Sequence, residues 1–348
     1  MTVESLELGR EYPPEGEELL IAEILRLSRL SMEHRPHPPT MRDQHPKSHG
    51  YLEGEFIVAE NIPDDLQVGV FAKPKTYPIW VRFSNTGSDR DGAGNFLPDA
   101  VGDGRGMAIK LMNVEGEMAI EDCEHSGEQD FLLVNNSTFF IRDVAGYISF
   151  FTIMGAIGQG RLNPGDPASI PDDLKKDFQA ISYAFPLVKN IKAKATPSPL
   201  KVRYWSMTPY KFGNKAMKFS ATPHTMDEHF DLNSVTDRSY LQTAMVQQLA
   251  TEDAYFDFKI QLQIDPVTMP IEDPLIEWNE QDAPFVKVAT IRIFQQDFNT
   301  AERKQLDEQQ SFSPWHALRV HQPLGGVNRA RKIYTNLAKV RNKINQDS

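Results

Sequence analysis

Apolar residues recur at helical spacing over residues 17–33, EELLIAEILRLSRLSME. Leu20, Ile24 and Leu27 stand at i, i+4 and i+7 and predict an amphipathic helix. The prolines of HRPHPPT stop it. From Tyr51 the texture changes to short runs rich in β-branched and aromatic residues, divided by Gly, Pro and Asp: YLEGEFIVAE, YPIWVRFS, GRGMAIKLM and QDFLLVN. FFIRDVAGYISFFTIMGAIGQG and PDDLKKDFQAISYAF predict helices. Strand texture returns in LKVRYWSM, KAMKFSATP, YFDFKIQLQI and FVKVATIRIF. PWHALRVHQPLGG reads as a loop and VNRARKIYTNLAKVRNKINQ as one basic helix. Eight strands in two groups of four, with inserted and C-terminal helices, predict an α+β fold built on a closed eight-stranded antiparallel β-barrel. Such a barrel leaves no edge and can enclose one ligand. The expected division is an N-terminal arm and helix over 1–39 and one domain over 40–348. The barrel is expected over about 50–295 and the last helix over about 326–345.

Composition narrows the function classes. A chain of 348 residues, 40% hydrophobic and 24% charged, is ordinary globular material for one large domain. Its net charge of −11 argues against a nucleic-acid partner. The single cysteine, Cys123, excludes an intrachain disulfide and a thiolate-held cluster, and suits a reducing compartment. The first residues lack the basic start and apolar run of a signal peptide, and no apolar stretch approaches the ~20 residues that span a bilayer. The expectation is a cytoplasmic protein with no membrane span.

Four segments carry candidate chemistry. The first is Arg42-Asp43-Gln44-His45, followed by Gly50 and a strand. The second is VRFSN (81–85) with DGRGMAIKL (103–111). The third is LVNNSTFFIRD (133–143). The fourth is the last helix with Arg331, Tyr334 and Arg341. Taken singly, each also reads as a surface histidine, an alternating strand, a turn or a solvated basic stripe. Tyr334 and Arg341 are two helical turns apart, and Arg331 is one turn before Tyr334, so all three share nearly one face. A phenol bracketed by guanidiniums has a reason to ionise. Its usual value is ~10, and each unit of lowering needs ~1.4 kcal/mol of extra stabilisation of the anion. His45 and His49 form an H-x-x-x-H pair that would chelate a metal on a helix, but Pro46 and the strand texture oppose a helix there. His224 and His229 sit in an acidic loop and read as solvated. Lys47 and Lys110 read as structural or surface positions.

Together and in this order, the four segments resemble the catalase superfamily, in particular its short catalase-related haem proteins, over about residues 40–345. VRFSN and DGRGMAIKL are similar to the family's V-R-F-S and D-x-R-G-x-A-x-K runs. LVNNSTFFIRD is similar to its N-x-x-x-F-F-I-R-D stretch, and HQPLGGVNRARKIYTNLAKVR to the proximal helix of the short relatives. The resemblance implies haem b held in the barrel, with Tyr334 as the iron ligand and Arg331 as that tyrosine's partner. Large catalases place this arginine four before the tyrosine, where this chain has Ala330. Arg42, Arg82 and Arg341 would bind the propionates. His45 would move the peroxide proton, oriented by Ser84, and Asn135 would hold the peroxide, with Asn136 as its neighbour. Phe139, Phe140 and Tyr147 would line the haem face or its access route, and Asp103 would lie near the channel. Gln44 precedes the distal histidine where catalases usually carry valine.

The implied activity is a haem-dependent peroxidase acting on hydrogen peroxide or organic hydroperoxides with an organic electron donor, with weak to moderate catalase activity. The alternatives are a rearranging enzyme for fatty-acid hydroperoxides, of the allene-oxide-forming kind, and a non-catalytic haem- or lipid-binding barrel. A homo-oligomer, dimer or tetramer, is expected.

Overall fold

The computed structural model describes residues 6–33, 42, 44–87, 90–91, 93–121, 125–163, 165–166, 170–226 and 230–346. Cys123 and His229 lie outside them.

Among the described residues nine antiparallel strands form the sheet: β1 (Ser48–Val58), β2 (Thr76–Asn85), β3 (Arg105–Leu111), β4 (Gln129–Val134), β5 (Tyr204–Trp205), β6 (Tyr210–Phe212), β7 (Lys215–Pro223), β8 (Ala254–Leu262) and β9 (Val286–Ile293). Each of the eight expected runs contributes a strand. β5 pairs with both β4 and β7, which closes an eight-stranded barrel and leaves β6 as a short hairpin partner of β7. The period-2 alternation sets what faces inward. On β2, Tyr77, Ile79, Val81 and Phe83 enter the core, while Trp80, Arg82 and Ser84 alternate with them on the outer face.

Aromatic rings fill the lumen. Phe131 lies 4.9 Å from Phe258 and 5.1 Å from Phe219, and Phe56 lies 5.0 Å from Phe258, centroid to centroid. Expected as a container, the barrel is a packed core. A cofactor held inside it has no place, and the candidate site lies against its outer face.

Among the described residues eight α-helices surround the barrel: α1 (Glu17–Glu33), α2 (Val144–Gly158), α3 (Lys175–Ala180), α4 (Ala184–Lys192), α5 (Tyr240–Leu249), α6 (Ala301–Gln309), α7 (Gly326–Arg331) and α8 (Ile333–Gln346). α2 starts where Asp143 caps it, accepting the Gly146 N–H at 2.8 Å. The helices bury a second core that includes Ile24, Ile141, Tyr147, Val327, Ile333 and Leu337.

α1 has the expected span, but its buried stripe is rotated from the expected one. Glu17, Ile24 and Ser28 are buried, while Leu20 is exposed. The cause is Arg329 of α7, which donates to Glu17 at 2.5 Å, to Glu11 at 2.5 Å and to Glu272 at 2.8 Å. This charge cluster pins the arm and the start of α1 to α7. The single basic helix expected over about 326–345 is two helices, broken at Lys332. No helix among the described residues is long and apolar enough to cross a membrane.

Candidate functional site

His45 lies just before β1, in a left-handed backbone conformation with φ of 56°. Such a conformation costs a β-carbon residue roughly 1–3 kcal/mol and persists only where neighbours enforce it. Here Arg82 Nη1 donates to the His45 carbonyl at 2.9 Å, and Ser84 Oγ lies 3.0 Å from the ring Nδ1. Ser84 pairs with Ser48 on one side and Gly106 on the other. A β-carbon at position 106 would stand 2.5 Å from His45 Nδ1, so the glycine makes room for the imidazole. Burial, then the positive charges of Arg82, Arg331 and Arg42, push the His45 pKa down to about 3. At neutral pH the ring is an uncharged proton acceptor.

Beside it converge three guanidiniums: Arg42, Arg82 from the outer face of β2, and Arg341 from α8. They meet one buried carboxylate, Asp307 of α6. Arg82 Nε donates to Asp307 Oδ1 at 2.6 Å, and Arg42 lies 3.7 Å from the same oxygen and donates to the Asp307 carbonyl. Arg341 Nη2 donates to the Glu308 carbonyl at 2.9 Å. Arg42 Nε and Arg82 Nη2 are buried without a hydrogen-bond partner. Burial, then repulsion from Arg82 and Arg341, lowers the Arg42 pKa to about 9. Arg341 is lowered by burial against the opposing pull of Glu308. Burial pushes the Asp307 carboxyl up, but Arg82 and Arg42 outweigh it and hold its pKa below the usual range. The cluster has a surplus of positive charge and spare N–H donors, the composition that takes further anionic oxygens.

Across from His45, half-buried Tyr334 sits in the first turn of α8. Its hydroxyl is 2.9 Å from that of Tyr147 on α2 and also receives the Gln44 amide. Gln44 Nε2 donates to Tyr147 as well, at 3.2 Å. Gln44 is exposed, so the cleft between the His45 segment and α8 opens to solvent. A metal ligated by Tyr334 on this side would replace both hydrogen bonds.

The remaining expected residues are scattered more widely. Asn135 is buried, and its amide oxygen accepts the Arg105 N–H at 2.8 Å. Asn136 instead accepts Lys194 at 2.7 Å and bonds back to Thr138. Phe139 and Phe140 stack at 4.7 Å, and Phe139 meets Tyr147 edge-on at 6.2 Å. Arg331 donates to Asn328 at 3.0 Å and approaches Thr208 at 3.5 Å, which turns it toward β6. Asp103 accepts Thr86 at 2.8 Å and the Gly87 N–H at 3.0 Å. His49 lies on β1, with Nε2 2.7 Å from Asn85 and Nδ1 3.9 Å from Asp99, and no helix carries it beside His45. Lys47 pairs with Asp99 at 2.5 Å, and exposed His224 lies 2.9 Å from Asp257.

No model of a known protein family matches the chain. A catalase of Pseudomonas aeruginosa is 30% identical over 165 residues, 47% of this chain and 27% of that protein. The whole structure superposes on a fungal catalase with a TM-score of 0.66 at 18% identity, covering 97% of this chain and 65% of that one. Catalase A from Saccharomyces cerevisiae gives 0.66 at 19% identity, with 96% and 67% covered. A bacterial catalase gives 0.61 at 18% identity, with 97% and 64% covered. The chain has the fold of these catalases. It spans about two thirds of these solved catalases, and the matched stretch about a quarter of the curated one.

On this catalase fold the residues suit haem in their chemistry. A tyrosine oxygen is tied through Gln44 to the segment that carries an uncharged imidazole, and three guanidiniums, two of them with spare donors, stand beside that imidazole. Asp307 and Gly106 were missing from the sequence reading. Thr300 caps α6, its Oγ1 accepting the Arg303 N–H at 3.1 Å, but that cap does not single out Asp307. Gly106 is the fixed glycine of the D-x-R-G-x-A-x-K run, and its place under His45 follows from the barrel register.

Proposed function

We propose that the chain is a haem b enzyme that acts on hydrogen peroxide or organic hydroperoxides, as a peroxidase with weak to moderate catalase activity. The observation that carries this reading is His45: an uncharged imidazole fixed by Ser84, Gly106 and Arg82 beside an under-neutralised arginine cluster. Haem bound there would supply a redox-active iron that gives two electrons to one peroxide and takes two back from an organic donor or a second peroxide.

The chain's own residues do the rest. The Tyr334 oxygen would ligate the iron. Arg42, Arg82 and Arg341 would pair with the two propionates. The His45 Nδ1–H donates to Ser84, which leaves the Nε2 lone pair to take a proton from one peroxide oxygen. Nε2 then returns that proton to the other oxygen, which departs as water. Asn135, its carbonyl held by Arg105, offers its amide N–H to the peroxide. An organic donor or a second peroxide closes the cycle.

Half-buried Phe140, Phe150 and Phe151 lie along α2 and its approach, with Phe140 and Phe150 5.1 Å apart. This apolar wall favours a second reading, in which a fatty-acid hydroperoxide is the substrate and is rearranged rather than reduced.

Steady-state rates with hydrogen peroxide and with a polyunsaturated fatty-acid hydroperoxide, with product analysis, test the proposal. His45→Ala is expected to keep haem and lose peroxide turnover by at least about 100-fold. Full turnover in that variant would remove His45 from the mechanism.

A further inference from the structure

The loop between β3 and β4 and the segment between α6 and α7 bring two more histidines together on the barrel's outer face. None of these residues has a part in the peroxide chemistry. His125 and His316 stack ring on ring, with centroids 3.7 Å and planes 22° apart. Each Nδ1 is held by its own carboxylate, His125 by Glu128 Oε2 at 2.9 Å and His316 by Asp130 Oδ2 at 2.9 Å. Lys110 bridges the two carboxylates, 2.5 Å from Glu128 Oε2 and 2.9 Å from Asp130 Oδ1.

An imidazole whose Nδ1 is bound to a carboxylate is the arrangement by which proteins orient a metal-binding histidine. The proton sits on Nδ1 and the lone pair on Nε2. Two of them side by side are poorly explained as ion pairs, because two imidazolium cations face to face at this distance repel. Burial raises the Glu128 carboxyl, but hydrogen bonds from His125 and Lys110 bring its pKa down to about 2, so it is ionised. Its Oε2 takes both of those bonds, which leaves Oε1 for another partner. One ligand atom from each of His125, Glu128 and His316 lies within 4.8 Å of the others.

We propose that His125, His316 and Glu128 form a binding site for a divalent first-row transition ion, Zn(II) in the first instance. Two imidazole nitrogens and one carboxylate oxygen are borderline ligands suited to this ion, and they leave a fourth tetrahedral position for water. Asp130 orients His316 from behind. The His316 and Asp130 side chains are closed off at 1% and 0% exposure, whereas His125 and Glu128 keep 17% and 15%, so the ion enters from their side. To bind the ion the His125 ring turns out of the stack and gives up its bond to Glu128, which frees that carboxylate to share the ion with the His125 and His316 Nε2 atoms. The bound ion ties the β3–β4 loop to the segment that leads into α7.

The test is calorimetric titration of chelator-stripped, full-length protein with Zn(II), with Co(II) absorption to read tetrahedral geometry. Wild type is expected to bind one equivalent, with a rise in Tm on loading. His125→Ala should weaken binding about 100-fold and Glu128→Gln about 10-fold, and both should lose the Tm rise. His316→Ala opens a buried site and can misfold, so the less buried positions carry the test, with metal-free unfolding curves to show that the variants fold. No binding by wild type at submillimolar Zn(II), or binding unchanged in His125→Ala and Glu128→Gln, would overturn the proposal.

Discussion

The chemistry of the cleft rests on how few ways His45 can sit. Its backbone is in the left-handed region, its carbonyl is held by Arg82, its Nδ1 by Ser84, and its ring lies over a glycine. Gly106→Ala puts a methyl group 2.5 Å from Nδ1 and 3.0 Å from Ser84 Oγ, and the imidazole must move. Displacing a catalytic group by about 1 Å can cost on the order of 100-fold in rate. Gly106→Ala is therefore expected to lower peroxide turnover by that factor, with far-UV circular dichroism unchanged; undiminished turnover would show that the ring position does not matter. At this scale the segments read together in the sequence are brought near one another: His45 meets Arg82 and Ser84, and its neighbour Gln44 meets Tyr334. Residues whose value depends on register were not legible. Gly106 matters because β3 pairs Gly106 with Ser84, and Asp307 because α6 crosses the barrel wall at Arg82.

The elements that carry the two walls differ in how firmly they are held. α7 is anchored by Arg329 to Glu11, Glu17 and Glu272, and the far end of α8 by Arg341 to α6. Between these anchors the helix breaks at Lys332, two residues before Tyr334. The run RARKIYTNL contains neither proline nor glycine, so periodicity alone reads one helix. The break follows from tertiary anchors on either side, which single-segment patterns do not record. Gln44 joins the opposite wall to Tyr334 and to Tyr147. Ligation of iron by Tyr334 has to displace that amide. Gln44→Ala is therefore expected to speed haem uptake by the haem-free protein several-fold in stopped-flow absorbance, without loss of final occupancy. Slower uptake would mean that Gln44 guides haem in rather than holding the cleft closed.

For the whole molecule, strand count and spacing were enough to predict a closed barrel, but not what the barrel contains. Alternation reads the same whether inward residues surround a ligand or one another, and here large rings meet in the middle. That packing leaves the candidate site against the outer face, and buried histidines elsewhere make the fold sensitive to acid. Burial lowers the pKa of His321 to about 4, against hydrogen bonding that favours its charged form. Burial, reinforced by Arg105 and Lys47 against Asp99 and Asn85, lowers His49 to about 4. Above the ordinary value of 6.5 both rings are neutral whether folded or unfolded, and cost nothing. As pH falls below it, the unfolded chain binds protons that the folded chain refuses. Stability should drop by up to about 1.4 kcal/mol per pH unit for each ring until about pH 4. Relief of the −11 net charge works in the other direction. Urea unfolding at pH 7, 6 and 5 is expected to show falling midpoints, and a flat or rising series would mean that these rings are not held neutral. The most direct test of the central claim is titration of haem-free protein with ferric haem, followed in the Soret region, for wild type and Tyr334→Phe. Wild type should saturate at one equivalent with a band distinct from free haem, and Tyr334→Phe should lose or shift it. No saturable band in wild type, or the same band in both proteins, would contradict a haem site built on Tyr334.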